Sequence, residues 1–410
     1  MRPDHRLFLR SLLDAAIAAA DPAHCVPPFL PSPPAGRTIV IGAGKASAAM
    51  AAAVERNWKA QLTGLVITRY GHAVPCERIE VVEASHPVPD ERGRLAAGRI
   101  AAMLNGLTAE DLVLCLLSGG GSALLAAPAE GLTLEDEQEL NRQLLASAVP
   151  IGEMNCLRKH VSMLKGGRLA ALAHPARVIA LIISDVPGDD PAVIASGPTV
   201  ADPTTSEQAR LIVHKYGLRL PPRILQFLSS PAAETPKPGD PRLSRAEARI
   251  IATPSRSLAA ASDLAKRAGY SVVDLGDRVE GEARDVAALH AGMAVAPSTV
   301  VISGGETTVK LTGSGRGGRN CEYLLALAIA LEPRGGRFAI ACDTDGIDGS
   351  EDNAGAIITP DTLSRAGAQG LDAMAHLADN DSYGFFARLG DLVVTGPTRT
   401  NVNDFRAILM

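Results

Sequence analysis

The stretch 38-TIVIGAGKAS-47 is a short apolar run that passes directly into a glycine-rich turn carrying a lysine. A β-branched run before such a turn, followed by small residues, predicts a strand, a tight turn and the start of a helix. A turn of this kind presents backbone N–H groups to an anion, so a phosphate is the expected ligand. The stretch leaves open whether that phosphate belongs to a dinucleotide coenzyme or to a nucleotide that donates its phosphate.

The glycine turn matches neither common phosphate-binding fingerprint in full. A dinucleotide fingerprint needs a glycine or alanine where Ser47 stands, and an acidic residue about 20 residues later, where only Arg69 is found. A Walker A loop needs a glycine at Ile39 and a hydroxyl residue at Ala46. The P-loop class is therefore excluded and NAD is disfavoured, while NADP stays open because Arg69 would suit a 2′-phosphate.

Composition narrows the classes of partner. The chain has 410 residues, which predicts two domains, and its net charge is −5 with no basic run, so we expect no nucleic acid. No apolar run approaches the roughly 18 residues of a membrane span, so we expect no membrane partner. Residues 5–21 predict an amphipathic helix and not a signal peptide, which favours a cytoplasmic protein. Six cysteines without a CxxC pair disfavour a zinc site and a disulfide framework.

Short apolar runs recur along the chain, each followed by glycines or acids and then by a helical pattern, which is typical of βαβ units. Their number exceeds what one doubly wound domain holds, and a proline-rich segment between Leu218 and Arg249 predicts a boundary. We therefore expect domains at 1–235 and 236–410, with the active site in the cleft between them. The runs are 38–41, 64–68, 79–85, 112–118, 178–184, 249–253, 271–275, 299–303, 338–343 and 392–396.

Three further glycine-rich loops follow predicted strands, namely 118-SGGGSALL-125, 303-SGGETT-308 and 313-GSGRGGRN-320. Consecutive glycines at a strand end imply close approach of a ligand or of another backbone segment. Arginines within such loops can supply charge to an anion, whereas solvated hairpin turns are the alternative. No G-x-S-x-G is present, which disfavours a serine hydrolase. The candidate ligand-binding residues of these loops and of the first glycine turn are Gly42, Gly44, Ser118, Gly119, Gly120, Gly121, Ser122, Gly304, Gly305 and Glu306.

Acidic residues form a third group, in 184-SDVPGDDP-191 and 343-DTDGIDGSEDNAG-355. Carboxylates on loops at strand ends suit Mg²⁺, which takes one or two of them and keeps its waters and substrate phosphates. The second loop is not a calcium loop, because Ala354 stands where a glutamate is needed. We expect Asp189 and Asp345 to bind the metal, and solvated turn aspartates remain the alternative. The choice is open among Asp189, Asp190, Asp343, Asp345 and Asp348.

The segment 155-NCLRKHVSMLKGGRLA-170 carries several cations near a glycine pair, and it predicts either a carboxylate-binding wall or a solvated helix face. Phosphoryl transfer needs anion loops, cations within them and carboxylates at other strand ends, whereas hydride transfer does not need the acids or the arginine-bearing turns. The three groups together favour a phosphotransferase.

The chain resembles the class II glycerate 2-kinase family, also named hydroxypyruvate reductase of tartrate degradation, whose C-terminal half is the MOFRL region. The resemblance covers the sequence from about Arg10 to its end. One departure is Cys321, where we expect the family to carry glutamine. The motifs that carry the resemblance are GAGKAS, SGGGSALL, NCLRKHVSMLKGGRLA, SDVPGDDPAVIASGPT, SGGETTV, GRGGRN, DTDGIDG and NDSYGFFARLGDLVVTGPTRTNVND.

The resemblance implies a Rossmann-like, doubly wound parallel sheet in the first domain, and a second, MOFRL-type α/β domain with a mixed sheet. It implies phosphorylation of D-glycerate on the 2-hydroxyl by ATP and Mg²⁺, giving 2-phosphoglycerate and ADP. The family's lysine falls on Lys45 and its arginine on Arg319, and we add Asp189 as a third catalytic residue. The family's glycine-rich nucleotide and phosphate loops fall on Gly119, Gly120, Gly121 and Ser122. An NAD(P)H-dependent hydroxypyruvate reductase is the alternative, followed by a non-catalytic anion-binding module. A homodimer is left open.

Overall fold

The computed structural model describes residues 4–147 and 149–410. The chain forms two compact units. The middle unit is Pro22–Ile251, and the terminal unit joins the chain up to Asp21 with Ala252–Met410.

The chain alternates strands with helices along most of its length. The strands are β1 (Thr38–Ala43), β2 (Thr63–Arg69), β3 (Ile79–Ala84), β4 (Leu112–Leu117), β5 (Arg177–Ile183), β6 (Ala246–Ala252), β7 (Ser271–Asp274), β8 (Val279–Glu282), β9 (Thr299–Ser303), β10 (Gly305–Thr308), β11 (Phe338–Asp343), β12 (Gly355–Ile358), β13 (Leu392–Val393) and β14 (Asp404–Leu409). The α-helices are α1 (His5–Ala19), α2 (Pro22–Cys25), α3 (Ser47–Asn57), α4 (Glu91–Met103), α5 (Gly121–Leu124), α6 (Leu134–Ala146), α7 (Ile151–His160), α8 (Arg168–Ala173), α9 (Ser206–Lys215), α10 (Pro222–Leu228), α11 (Pro254–Arg267), α12 (Ala283–Ala291), α13 (Arg319–Leu331), α14 (Thr362–Ala368), α15 (Ala373–Ala378) and α16 (Ser382–Leu389).

The middle unit is built on a six-stranded sheet in the order β3–β2–β1–β4–β5–β6. β1 pairs in parallel with β2 and β4, and every residue of β1 and β4 is buried. Runs of Val, Ile and Leu that are buried on both faces are typical of such strands. The order reverses between β1 and β4, which is the switch point where doubly wound sheets bind ligands at the carboxyl ends of their strands. The Rossmann-like prediction is confirmed.

The terminal unit contains a second six-stranded sheet in the order β13–β12–β11–β14–β9–β7. β14 lies between β11 and β9 and pairs antiparallel with both, whereas β7 pairs in parallel with β9, so the sheet is mixed as predicted. β8 and β10 form a separate parallel pair. Helix α1 belongs to this unit, where its buried Leu9 and Leu12 join Leu258, Ile340 and Phe405 in one core cluster.

The compact units differ from the predicted domain limits of 1–235 and 236–410 at two places. Helix α1 packs on α11 in the terminal unit, and β6 completes the edge of the first sheet beside β5. The proline-rich segment that was predicted to be a boundary also contains helix α10. Pro222 occupies the first turn of α10, where its missing N–H leaves no helical hydrogen bond unmade.

Candidate active site

The loops that follow β1 and β4 contact each other directly at the switch point of the first sheet. The amide of Lys45 donates a hydrogen bond to the carbonyl of Gly119 at 2.9 Å, and the amide of Ala46 donates to Ser118 Oγ at 2.9 Å. Gly44 has φ +144°, and a Cβ there would lie 2.1 Å from Ser118 Oγ. Only glycine allows this approach, so the two loops predicted separately from the sequence form one structure.

The triple glycine lies against the side chain of Lys45. Gly120 has φ +79°, and a Cβ at this position would lie 3.0 Å from His86 Cδ2 and 3.5 Å from Lys45 Cγ. A Cβ at Gly121 would lie 2.8 Å from the carbonyl oxygen of Ala43. Side chains at Gly120 and Gly121 would therefore crowd their neighbours, and the stem of Lys45 lies beside Gly120.

Other predicted glycines have a structural explanation within their sheets. A Cβ at Gly42 would lie 2.2 Å from the carbonyl oxygen of Leu116 on the neighbouring strand β4. Gly305 has φ +102°, and a Cβ there would lie 2.3 Å from the carbonyl oxygen of Val279 on β8. The carbonyl of Gly304 accepts a hydrogen bond from Arg406 Nη1 at 3.2 Å. These contacts account for Gly42 and Gly305 without a ligand.

A third loop, which follows β5, joins the glycine loops through a chain of hydrogen bonds that the sequence did not reveal. Ser196 Oγ donates to Asn155 Oδ1 at 3.1 Å, and Ser122 Oγ lies 2.8 Å from Ser196 Oγ. Ala195 and Ser196 have φ +51° and +60°. Non-glycine residues in this region are strained, and such strain concentrates at functional sites. The only sequence signal for Ser196 and Asn155 was their place in the family motifs.

Asp189 lies earlier in the same loop. Its backbone has φ +55°, and its Oδ1 atom is buried without a hydrogen-bond partner among the described residues. A buried carboxylate oxygen without a partner is costly, and a metal ion is one group that can satisfy it. The neighbouring Asp190 is exposed, and its Oδ1 accepts a hydrogen bond from the amide of Ala192 at 2.8 Å. The structure therefore distinguishes the two acids.

Three aspartates of the acidic loop after β11 make hydrogen bonds and an ion pair within the terminal unit. Asp343 forms an ion pair with Arg319, and Asp345 Oδ1 accepts from the amide of Ile347 at 2.8 Å. Asp348 accepts from the amide of Asn320 at 3.0 Å and from the next amide at 2.9 Å. Across residues 4–147 and 149–410, no three His, Cys, Asp or Glu side chains gather as a metal cage would need. This is compatible with Mg²⁺, which takes only one or two carboxylates.

Arg319, the first residue of α13, is surrounded by carboxylates. Its Nε lies 2.9 Å from Asp404 Oδ1, its Nη2 lies 2.7 Å from Asp343 Oδ2, and its Nη1 lies 3.2 Å from Glu306 Oε1. Burial alone would lower the pKa of Arg319, but Asp404, Asp343 and Glu306 together raise it. The Glu306 side chain is 56% exposed, while Asp343 and Asp404 are buried. Arg319 is thus a cation held in place by two buried carboxylates, and its Nη1 atom pairs with the partly solvated Glu306.

Asp404 and Arg406 on β14 complete this cluster and were not assigned a role from the sequence. Arg406 Nη2 donates to Asp404 Oδ2 at 2.5 Å and to Thr307 Oγ1 at 3.1 Å, and its guanidinium lies over the Tyr323 ring at 5.3 Å. Asp404 therefore contacts two arginines. A signal was available, since Asp404 ends the last family motif.

The start of α13 is capped by a side chain from outside the helix. Gly318 is the N-cap residue and makes no side-chain hydrogen bond. Asp348 instead caps the helix from another loop, through its bonds to the amides of Asn320 and Cys321. Burial raises the pKa of Asp348, and these two amides oppose the rise. The cap is a carboxylate at a helix N-terminus, which the helix dipole favours.

The cations of residues 155–170 do not form a solvated face. Lys159 and Lys165 are buried and pair with Asp202 at 3.4 Å and Glu137 at 2.5 Å. Arg158 differs from them, because its Nε donates to an asparagine, Asn141 Oδ1, at 2.8 Å. It has no carboxylate partner in the part of the chain that the structure describes.

The fold and these loops define a Rossmann-like α/β protein with a second, mixed-sheet unit. Two family models match the chain: a domain of unknown function (DUF4147) over residues 8–229 and the MOFRL family over residues 299–404. The chain belongs to the family whose members combine these two regions, and the resemblance to class II glycerate 2-kinases is confirmed.

Named relatives extend over nearly the whole chain. A D-glycerate 2-kinase of Thermotoga maritima is 39% identical, covering 96% of this chain and 95% of its own length. An Agrobacterium vitis protein, which carries the provisional name of a hydroxypyruvate reductase, is 53% identical over 99% of this chain and 94% of its own length. The crystal structure of a glycerate kinase from Thermotoga maritima matches with a TM-score of 0.89 and 38% identity, covering 98% of this chain and 99% of that chain. No helix within the described residues has both the length and the apolar character that crossing a bilayer requires.

Proposed function

We propose that this chain is a kinase that transfers the γ-phosphoryl group of ATP to the 2-hydroxyl of D-glycerate, giving 2-phosphoglycerate and ADP. The observation that carries the proposal is the position of Lys45, whose side chain lies against the glycine loop after β4 at the switch point of the first sheet. Backbone amides beside a fixed cation form a site for phosphate groups. The relatives named glycerate 2-kinase support glycerate as the acceptor.

Catalysis of phosphoryl transfer consists mainly of positioning and charge stabilisation. Lys45 and Arg319 would stabilise the charge that spreads over the transferred group. Arg319 suits this role because Asp404 and Asp343 already fix its guanidinium, so little reorganisation is needed during the reaction. The backbone of Gly119–Gly121 would hold the remaining phosphates.

The residues present fit a magnesium ion. The buried Oδ1 atom of Asp189, which has no hydrogen-bond partner within residues 4–147 and 149–410, is a suitable ligand, and we retain Asp345 as a second one. When bound, the ion would neutralise charge on the phosphate oxygens. Asp189 would otherwise accept the proton of the attacking hydroxyl, although a loose transition state needs little deprotonation.

A reductase remains the second candidate. It is supported by the provisional name of the Agrobacterium vitis relative and by Arg69, the last residue of β2, where a dinucleotide site holds its ribose. The incomplete glycine fingerprint does not favour it. Cytoplasmic location and a homodimer stay predictions under either function.

Two assays run side by side test the proposal. The first measures ADP release with D-glycerate, ATP and Mg²⁺, and identifies the product by its direct conversion by enolase, which requires the 2-phosphate. The second measures NAD(P)H oxidation with hydroxypyruvate. We expect ADP release and an enolase-competent product. Steady NAD(P)H oxidation without ADP release would replace the kinase with the reductase.

A further inference from the structure

A cavity of about 630 Å³ lies within the middle unit beside the glycine loop. Gly120 and Ser122 form one part of its wall, Val88 and Leu145 form an apolar part, and Arg158 also lines it. We propose that this cavity binds the nucleoside of ATP, with the base against Val88 and Leu145 and the phosphates between the glycine loop and Arg158. The proposal rests on the proposed kinase function and specifies where its nucleotide binds.

The apolar wall supports an organic ligand over a simple anion. Val88 and Leu145 are 59% and 68% exposed. Single exposed apolar residues are ordinary, but these two come from different elements and line the same cavity. Cavities of roughly 300–1,000 Å³ with apolar walls and few polar groups are typical of cofactor sites. Glycerate, a three-carbon acid, would leave most of this volume and both apolar side chains without contacts.

Arg158 supplies the charge that a phosphate needs. It lies one position before Lys159 on α7, yet Lys159 pairs with Asp202 whereas Arg158 hydrogen bonds only to the neutral Asn141 among the described residues. Burial lowers the pKa of Arg158, and the charge of Glu137, which forms its ion pair with Lys165, opposes this only in part. A buried arginine without an ion pair of its own among the described residues is stabilised by an anionic ligand, and phosphate matches its fork of donors.

Helix α6 provides the remaining polar groups. Gln138 Nε2 donates to the carbonyl of Pro89 at 2.7 Å, so the loop that carries Val88 is fixed to this helix as one wall. Glu139 and Arg142 neutralise each other across one turn. Glu135, which also lines the cavity, is then the acid available to accept hydrogen bonds from ribose hydroxyls.

Displacement of a fluorescent ATP analogue, measured without glycerate, tests the base end and the phosphate end of the proposed nucleotide site separately. Leu145→Glu should raise the dissociation constants of ATP, ADP and adenosine at least about tenfold, because the base would have to desolvate a carboxylate. Val88→Glu, in the loop that forms the other apolar part of the wall, should raise the same three dissociation constants. Arg158→Gln should weaken ATP and ADP at least about tenfold but change adenosine less than about twofold, since only phosphates contact it. Leu211→Glu, at an exposed leucine of α9 outside the cavity, is the matched control and should bind all three as wild type does.

The outcomes separate this inference from the proposed function. Wild-type ATP affinity in both Leu145→Glu and Arg158→Gln would place the nucleotide elsewhere and overturn the inference, even with kinase turnover intact. Variants that raise only the KM for glycerate would assign the cavity to the acid and overturn it as well. Absence of nucleotide binding by the wild type would also overturn it. Nucleotide binding with the expected variant pattern but without turnover would support the cavity and refute the kinase.

Discussion

Asp189 and Asp190 are neighbours in the chain but are used differently by the fold. Asp189 has a buried oxygen without a partner among the described residues, whereas Asp190 is an exposed turn residue. Asp189→Asn should therefore raise the Mg²⁺ concentration for half-maximal rate by at least about tenfold. Mutation of a residue that only hydrogen bonds to a metal ligand already lowers metal affinity by about this factor. Asp190→Asn should leave it unchanged. An equal response of the two variants in a magnesium titration would remove Asp189 from the metal site.

Lys45 distinguishes the two chemistries. In a kinase it meets charge that develops during transfer, so Lys45→Ala should lower kcat by roughly 10²–10³ with little change in the KM for ATP. In a reductase it would bind only the cofactor phosphates, and its loss would raise the cofactor KM while sparing kcat. Steady-state kinetics with both constants decides between them. A pure KM effect would refute the catalytic role.

Arg319 should depend on its fork of donors as well as on its charge. Arg319→Ala should lower kcat by roughly 10²–10³, and Arg319→Lys should recover only part of this, because an ammonium cannot bind both oxygens of Asp404 while reaching Asp343. Arg316 offers a matched control in the same loop, since it is exposed and pairs with Glu351. Arg316→Ala should stay within about twofold of wild type. Full activity of Arg319→Lys would contradict the positioning argument.

At the scale of elements, the longer apolar runs predicted strands, whereas β8, β10, β12 and β14 were missed; β12 is apolar but only four residues long. All ten runs overlap strands, although the run 392–396 does so only at Leu392–Val393. Strands that are buried in the interior of a sheet need continuous apolar residues, which makes them visible in the sequence. β14 was missed although it lies inside the second sheet, since Asp404 and Arg406 interrupt its pattern. Their charges are compensated by each other and by Arg319, which lies 85 residues earlier than Asp404. No local pattern contains that information.

The glycine loops show a similar division between what sequence reveals and what it hides. The triple glycine stood out because neither helix nor strand propensity explains it. The sequence could not tell that Gly42 and Gly305 are explained by strand packing. It also could not find Ser196, whose partners Asn155 and Ser122 lie 41 and 74 residues away. Side-chain hydrogen bonds between loops depend on topology, which periodicity does not encode.

Asp111 joins the starts of β1 and β4 and should make the stability of the first sheet depend on pH. It accepts from Arg37 Nη2 at 2.9 Å, from the Arg37 amide at 2.6 Å and from the Thr108 amide at 2.7 Å. The guanidinium of Arg37, followed by these amides, lowers the pKa of Asp111 well below its ordinary value. A carboxyl group whose pKa falls on folding stabilises the fold fully above its unfolded pKa, about 3.9, and loses that contribution as the pH falls.

Asp111→Asn should accordingly reduce the free energy of unfolding by roughly 1–2 kcal/mol at pH 7, a value kept modest because Arg37 is exposed. The difference from wild type should shrink as the pH is lowered below about 4. Urea unfolding at several pH values measures it. Glu91→Gln, at an exposed ion pair with Arg94, should leave the free energy of unfolding close to that of the wild type. If the free energies of unfolding of Asp111→Asn and wild type differed more as the pH falls, the proposed role of the Asp111 carboxylate would be contradicted.

At the scale of the whole molecule, the terminal unit is assembled from both ends of the chain. Composition placed the boundary at the prolines because the change of character there is local. The partners of α1, by contrast, are α11, β11 and β14, all more than two hundred residues later. The first junction, near Asp21, also has a compositional mark, because six prolines lie within residues 22–34, but this second proline-rich segment was not used as a boundary. The sequence therefore predicted the presence of two units but not that the middle one interrupts the other.

Leu12 provides a test of this organisation. Its side chain is fully buried in the cluster with Leu258 and Phe405, so Leu12→Ala should destabilise the terminal unit by about 2–5 kcal/mol. Hydrogen exchange followed by mass spectrometry should then show faster exchange within Ala252–Met410, where the lost packing lies, and unchanged exchange within Pro22–Ile251. Leu7→Ala, at an exposed position of the same helix, controls for the loss of a leucine and should leave both units unchanged. Faster exchange confined to Pro22–Ile251 would instead support a first domain of residues 1–235, with α1 as part of its core.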